Sequence, residues 1–308
     1  MKVVLFCNSA TAINTLLELQ KNQSLAGIVM PEDQHEDNLN TEAYAREHDI
    51  PVHRTNKSGL ATTTVSFVQA QGADCLLCLT FPYVFPAPLL EATEWGAWNV
   101  HYSQLPKYRG NDPIFWQLCR QERVVGVTIH KMMAEVDAGD ILIKESFGVY
   151  PGENYGLLRT RLGVFTSSLV KDKFLSTVNQ AATLAKPQVS TDAEWLGRPT
   201  PADLTIRWDK MEADQIEALV NAANPTYGGA IAYFRQAPIR ILEVSPADVK
   251  NTAVLSPGSI VYADGNQGLF VGCLNQRFLR INILSTPEAI LTGMKLAALG
   301  IKPGEKFT

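Results

Sequence analysis

Five short apolar runs alternate with stretches of helical spacing through the first hundred residues, and this alternation limits the fold more than any other feature. Lys2–Cys7 is apolar without a polar alternation, as suits a strand buried on both faces, and Ala10–Gln20 places Ile13, Leu16, Leu17 and Leu19 at helical spacing. Leu25–Met30 reads as a second strand, and Thr41–His48 as a helix starting at Asn40 or Thr41. Pro51–His53 reads as a short third strand and Thr62–Ala70 as a third helix. Asp74–Thr80 is a fourth strand, Pro88–Glu91 a helical turn, and Gly96–His101 a fifth strand. Strand and helix in turn predict an α/β domain with a doubly wound, mostly parallel, Rossmann-like sheet. Cys7-Asn8-Ser9-Ala10 stands where a dinucleotide-binding protein carries Gly-x-Gly-x-x-Gly, so that function has little support.

Further on, Pro113–Arg120 reads as a helix, Val124–Met132 and Ile141–Val149 as strands, and Tyr155–Leu184 as one long amphipathic helical region. Pro187, Gly197, Pro199 and Pro201 then interrupt regular structure. A helix at Ala213–Ala223 and short runs at Ala230–Phe234, Ile239–Val244, Gly258–Tyr262, Leu269–Val271 and Phe278–Leu284 predict a small C-terminal β-barrel, OB-like in character. A length of 308 residues favours two domains: 1–188, a linker at 189–202, and 203–308.

Charge and cysteine usage exclude some classes. A net charge of -4 gives no global basic field, so binding a polyanion needs a local patch. No segment resembles a signal peptide or spans a bilayer, which points to the cytoplasm and away from membranes. Five cysteines scattered over this length make no disulfide framework. Cys75 and Cys78 lie in an apolar strand, where positions three apart face opposite sides, so they read as buried thiols and no metal is expected.

The chemistry concentrates at the fifth strand. Asn99 and His101 are two apart and project from one strand face, and Ser103-x-x-Pro106-x-x-x-Gly110 must turn the chain just beyond them. Such strand ends are where open α/β sheets bind ligands. Asp137, in Glu135-Val136-Asp137-Ala138-Gly139-Asp140, is placed to fold back and complete a polar triad. Taken alone, Asn-x-His reads as strand-end hydrogen bonding. His130 reads as a structural residue of an apolar strand, and His35, His48 and His53 as surface or packing residues.

The order Asn-x-His, Ser-x-Leu-Pro-x-Tyr-Arg-Gly, Gly126-Val-Thr-Ile-His130 and Val136-Asp-x-Gly-Asp140 resembles the 10-formyltetrahydrofolate-dependent formyltransferases, the family of the methionyl-tRNA formyltransferases. Leu196–Pro201 and Asn224–Ala230 resemble that family's linker and the start of its C-terminal domain. The resemblance implies an N-terminal formyltransferase domain with 10-formyltetrahydrofolate as co-substrate. It assigns Asn99 to the formyl oxygen, His101 to oxyanion stabilisation and proton traffic, and Asp137 to holding His101 and an ordered water. It implies further that Leu79, Thr80, Phe81, Pro82, Tyr83 and Val84 lie along the pterin, with Val136 and Asp140 also on the folate side. Ser103, Arg109 and Asn111 then meet the acceptor, although Arg109 equally suits capping its own turn. The residue types agree with the reaction, since moving a formyl group to an amine needs fixed donors where an oxyanion develops and a base for the amine's proton.

The acceptor is read from charge. No Lys or Arg occurs from Asn22 to Ala45, and Glu32, Asp33, Glu36, Asp37 and Glu42 occupy the loop after the second strand. In the methionyl-tRNA enzymes that loop carries a basic insertion, as phosphate contact requires. Tyr102 and Gln104 also depart from those enzymes, and Asn111–Trp116 resembles the formylating domains of peptide synthetases. The expected acceptor is therefore a small-molecule or carrier-bound amine, an amino sugar or amino acid. Methionyl-tRNA is the alternative, and a formyltetrahydrofolate hydrolase or folate-binding protein is a further one.

Overall fold

The computed structural model describes residues 1–33, 38–250 and 256–308. Gln34–Asp37, which include His35, Glu36 and Asp37 of the acidic loop, lie outside the described residues. The chain divides into two compact units, one of residues 1–113, 124–148 and 159–196, the other of 114–123, 149–158 and 197–308.

In the first unit the strands are β1 (Val3–Cys7), β2 (Leu25–Pro31), β3 (Val52–Thr55), β4 (Cys75–Leu79), β5 (Ala97–His101), β6 (Arg109–Gly110), β7 (Val124–Lys131), β8 (Ile141–Gly148) and β9 (Trp195–Leu196). A seven-stranded sheet runs β3-β2-β1-β4-β5-β7-β8, while β6 and β9 pair separately. The pairings from β3 to β5 are parallel, and β7 and β8 join antiparallel, so the sheet is mostly parallel as expected. The helices α1 (Ala12–Lys21), α2 (Leu39–Glu47), α3 (Thr63–Ala70) and α4 (Ala87–Leu90) connect the parallel strands.

Every residue of β1 and β4 is buried, as their unbroken apolar runs require of central strands. Cys7, Cys75 and Cys78 are free and buried there, and burial pushes each thiol up to about 12, which makes them inert packing groups. The helical region expected at Tyr155–Leu184 is not one regular helix. α5 (Tyr155–Leu169) gives way to a wide π turn at Val170–Phe174, followed by short helical pieces that end at Leu184. Within that turn Phe174 is fully buried, edge-on to Trp98 at 6.3 Å.

The second unit contains the helix Ala213–Ala223 and β10 (Ala230–Phe234), β11 (Ala237–Ala247), β12 (Ile260–Asp264), β13 (Gly268–Gly272), β14 (Phe278–Ser285) and β15 (Ile290–Thr292). Their order is β10-β11-β14-β13-β12, with β15 on β14. The C-terminal sheet is six-stranded, and among the described residues no ladder joins β10 directly to β12. Its two edges are instead bridged by the chain's last residues. Thr308 exchanges both backbone hydrogen bonds with Tyr233, and Phe307 N–H donates to the Gly258 carbonyl. Phe307 is fully buried and stacks on Trp208, which anchors that tail by apolar burial. Among the described residues no helix is long and apolar enough to cross a membrane.

Candidate active site

β5 ends in Asn99 and His101, and its ladder with β7 sets Asn99 opposite His130 and His101 opposite Thr128. The chain then reverses through 103–110. Ser103 is fully buried, its Oγ donates to the Lys107 carbonyl at 2.8 Å, and Thr128 Oγ1 donates to the Ser103 carbonyl at 2.6 Å. The turn closes at Gly110, whose φ of +93° and distance of 2.4 Å from any added Cβ to the Leu196 carbonyl oxygen both demand glycine. After β7 the loop folds back against the strand it has left. At Gly139 a Cβ would stand 1.9 Å from the Lys131 carbonyl oxygen, so only glycine lets the loop lie that close.

This path carries Asp137 into the cluster. Its Oδ2 accepts the Gly110 N–H at 2.9 Å and lies 3.6 Å from His101 Nδ1. Its Oδ1 lies 3.4 Å from both Asn99 Nδ2 and His130 Nε2. Asp137 adopts φ +54°, the left-handed region that is costly for a residue with a Cβ. Burial by itself would raise its pKa, but His101, His130 and the Gly110 N–H outweigh burial and hold the carboxyl well below its usual range.

The imidazoles are oriented by backbone carbonyls, which can only accept. His101 Nε2–H therefore donates to the Tyr108 carbonyl at 2.7 Å, and its Nδ1 faces Asp137. Burial lowers the His101 pKa, and the Asp137 carboxylate opposes that fall only in part. His130 Nδ1–H donates to the Lys131 carbonyl at 3.0 Å, so in its neutral ring Nε2 accepts from Asn99 Nδ2 at 3.2 Å. Both N–H bonds of the Asn99 amide are thus directed, one to His130 and one to Asp137.

Of the residues expected at the site, Asn99, His101 and Asp137 lie together. The segment Leu79–Val84 starts at the last residue of β4, the neighbour of β5. Leu79 is buried and Thr80, Pro82 and Val84 are exposed. Phe81 packs edge-on to Phe6 and Tyr83 at 5.3 and 5.5 Å. Thr80 has φ +58°, and its Oγ1 donates to Ser9 Oγ at 2.9 Å. Val136 and Asp140 are exposed on the Asp137 loop, and Asn111 is exposed after β6. Arg109 is buried and engaged within the fold: Nε and Nη2 donate to Gln188 Oε1 at 3.2 and 2.8 Å, and Nη1 lies 3.6 Å from Glu135 Oε1.

Two residues of the site escape sequence reasoning. His130 looked structural because its own strand is apolar, yet cross-strand register brings it onto Asn99. Gln188 sits in a Pro-rich stretch with no local signal.

The formyl transferase family model matches residues 1–170, and the formyl transferase C-terminal domain model matches residues 199–295. The methionyl-tRNA formyltransferase of Geobacter metallireducens is 33% identical over 231 residues, covering 74% of this chain and 71% of that protein. Two solved structures share the fold at 14% identity. HypX from Aquifex aeolicus in complex with tetrahydrofolic acid aligns with a TM-score of 0.68 over 98% of this chain and 48% of its own, so the chain spans about half of HypX. The N-formyltransferase from Helicobacter canadensis in complex with folinic acid and dTDP-3-aminofucose aligns with a TM-score of 0.66, over 91% of this chain and 98% of its own.

Proposed function

The chain belongs to the formyl transferase family, and from that premise we propose that it moves a formyl group from 10-formyltetrahydrofolate to the primary amine of a small-molecule or carrier-bound acceptor, an amino sugar or an amino acid. The observation that carries the reading is the convergence of an amide, an imidazole and a carboxylate at one strand end, with Asp137 within 3.4 Å of Asn99 and 3.6 Å of His101. A formyl oxygen needs a fixed donor, and Asn99 supplies one. Its 3.4 Å contact with Asp137 is longer than the 3.2 Å contact with His130, so the Asp137 side is the one the formyl oxygen replaces. His101, kept unprotonated by burial, accepts the proton of the attacking amine, and Asp137 stabilises the imidazolium that results.

The donor would be held by Leu79, Thr80, Phe81, Pro82, Tyr83 and Val84, with Val136 and Asp140 on the facing loop. It supplies an activated formyl carbon. The irregular backbone at Thr80 and the aromatic packing of Phe81 suit an edge-reading contact with a flat heterocycle. On the acceptor side Asn111 is exposed, whereas Ser103 and Arg109 are engaged within the fold and support the site from behind.

Methionyl-tRNA formylation is the second reading, favoured by the 33% identity to a methionyl-tRNA enzyme. Hydrolysis of the donor is the third. One incubation series separates them: 10-formyltetrahydrofolate alone, with a panel of amino sugars and amino acids, and with charged initiator tRNA. Tetrahydrofolate appearing only with a small amine supports the first reading. Release without any amine supports hydrolysis and counts against transfer.

A further inference from the structure

Gln188 has an amide with four partners. Its Nε2 donates to the carbonyls of Asp137 and Gly139, both at 2.8 Å, while its Oε1 accepts Arg109 Nη2 at 2.8 Å and Nε at 3.2 Å. The orientation follows from chemistry, because a guanidinium can only donate and a carbonyl only accept. The neighbouring chain lies along the same loop: Ile141 and Lys186 exchange backbone hydrogen bonds of 2.8 and 2.9 Å. Nearby, Arg109 N–H donates to the Glu194 carbonyl at 2.8 Å and Asn111 N–H to the Leu196 carbonyl at 2.9 Å. The intervening Gly110 N–H points the other way, onto Asp137 Oδ2.

We propose that Gln188 is a positioning residue of the formyl-transfer site, fixing the backbone of the Asp137 loop so that the carboxylate faces His101, Asn99 and the Gly110 N–H. The proposal rests on reading Asp137 as the carboxylate of that site. Asp137 stands in a left-handed conformation that is costly for a non-glycine residue and persists only where the surroundings enforce it. The two carbonyls that Gln188 grips, those of Asp137 itself and of Gly139, fix the chain immediately after that conformation. Its other end is tied to Arg109, buried in the turn that ends at Gly110. The amide therefore links the two segments that hold Asp137 and the backbone donor to its Oδ2. Gln188 acts through Asp137.

The test compares Gln188→Leu, similar in size and unable to hydrogen-bond, with the wild type and with Asp137→Asn. The readouts are NMR titration of the His101 side chain and hydrogen exchange at the Gly110 amide. The titratable and charged groups facing His101 are Asp137, His130 and Arg109, and of these only Asp137 favours its protonated form. Asp137→Asn should lower the His101 pKa by about 1 unit or more. Gln188→Leu should reproduce at least about half of that fall and speed Gly110 exchange about tenfold or more, with exchange in β1 unchanged. If Asp137→Asn shifts both readouts and Gln188→Leu shifts neither, the proposal alone is overturned. If Asp137→Asn shifts neither, the pairing of Asp137 with His101 fails and the proposal falls with it. Should Gln188→Leu not fold, Gln188→Glu serves: it still meets Arg109 but sets an oxygen against two carbonyls, so Gly110 exchange must accelerate, and unchanged exchange overturns the proposal.

Discussion

Asn99 and His130 face each other across the β5–β7 ladder, with the amide Nδ2 3.2 Å from the imidazole Nε2. The Lys131 carbonyl fixes the histidine ring from its other side, at 3.0 Å from Nδ1. In the proposed transfer Asn99 donates to the formyl oxygen, and its amide is thereby held in one orientation. Preorganisation of this kind is how a donor contributes to the transition state instead of merely to binding.

His130→Ala should consequently lower the turnover of formyl transfer by about tenfold to a hundredfold, since small misplacements of a reacting group cost that much. The folate KM should stay within about twofold if His130 acts only by orienting Asn99, which it contacts at 3.2 Å. His130→Gln, which can still present an acceptor to Asn99, should recover part of the loss. Steady-state kinetics of the two variants check this, and equal losses in both would count against an orienting role.

Asn99→Ala, His101→Ala and Asp137→Ala should each cut turnover about a hundredfold or more, or about 2.7 kcal/mol of transition-state stabilisation, while folate affinity by calorimetric titration stays nearly intact. Asp137→Ala should also loosen the Gly110 turn, whose N–H bonds the carboxylate. Ordinary turnover in the His101→Ala protein would sink the assignment of the base.

The legible and illegible parts of the chain divide by range. Asn99 and His101 share a face because a strand has a period of two, and Cys75 and Cys78 are inert because a strand buries both faces; neither inference needs tertiary information. His130 is different, since its meeting with Asn99 depends on which strand pairs with β5 and in what register. Gln188 is further still from local rules, lying 51 residues from the Asp137 carbonyl it bonds. How the C-terminal sheet is bridged was illegible for a related reason: short strands with turn residues imply a curved sheet, but nothing in them shows that Phe307 and Thr308 return to its edges.

The pH dependence follows from two shifted groups. His101 is pushed below its ordinary 6.5 by burial, so its imidazole stays an unprotonated base at mildly acidic pH, and transfer should hold its plateau to below pH 6.5. For stability the sign is that of a group with a lower pKa when folded. Below pH 6.5 the unfolded chain binds the proton first, and stability falls as the pH drops. Asp137 is also depressed, so its contribution is fully present above its unfolded value near 3.8 and is lost as the pH falls towards the folded one. Denaturant titrations from pH 7 to 2 should show the first phase and the onset of the second, with Asp137→Asn removing the second. A rate profile whose acid limb sits above pH 6.5 would contradict the assignment of His101.

The last prediction concerns the acceptor. A tRNA-formylating enzyme must neutralise several phosphates, so its affinity falls steeply with salt and depends on Lys or Arg near the RNA. Here the segment after β2 offers Glu32 and Asp33, and Glu32 Oε2 accepts from Asn56 Nδ2 at 2.8 Å. Glu42 is an exception to the acidic reading, because Arg54 of β3 meets it at 2.6 Å and offsets its charge. Arg54 is itself engaged within the fold, its Nη1 donating to the Pro31 carbonyl at 2.9 Å. Uncompensated carboxylates act on any phosphate within a Debye length of about 10 Å in ordinary buffer, and they act against it. The purified protein should therefore fail to formylate charged initiator tRNA at a useful rate, yet formylate a small or carrier-bound primary amine. A filter assay with charged initiator tRNA across a salt series decides the point: efficient formylation that falls steeply with salt would promote the methionyl-tRNA reading over the one proposed.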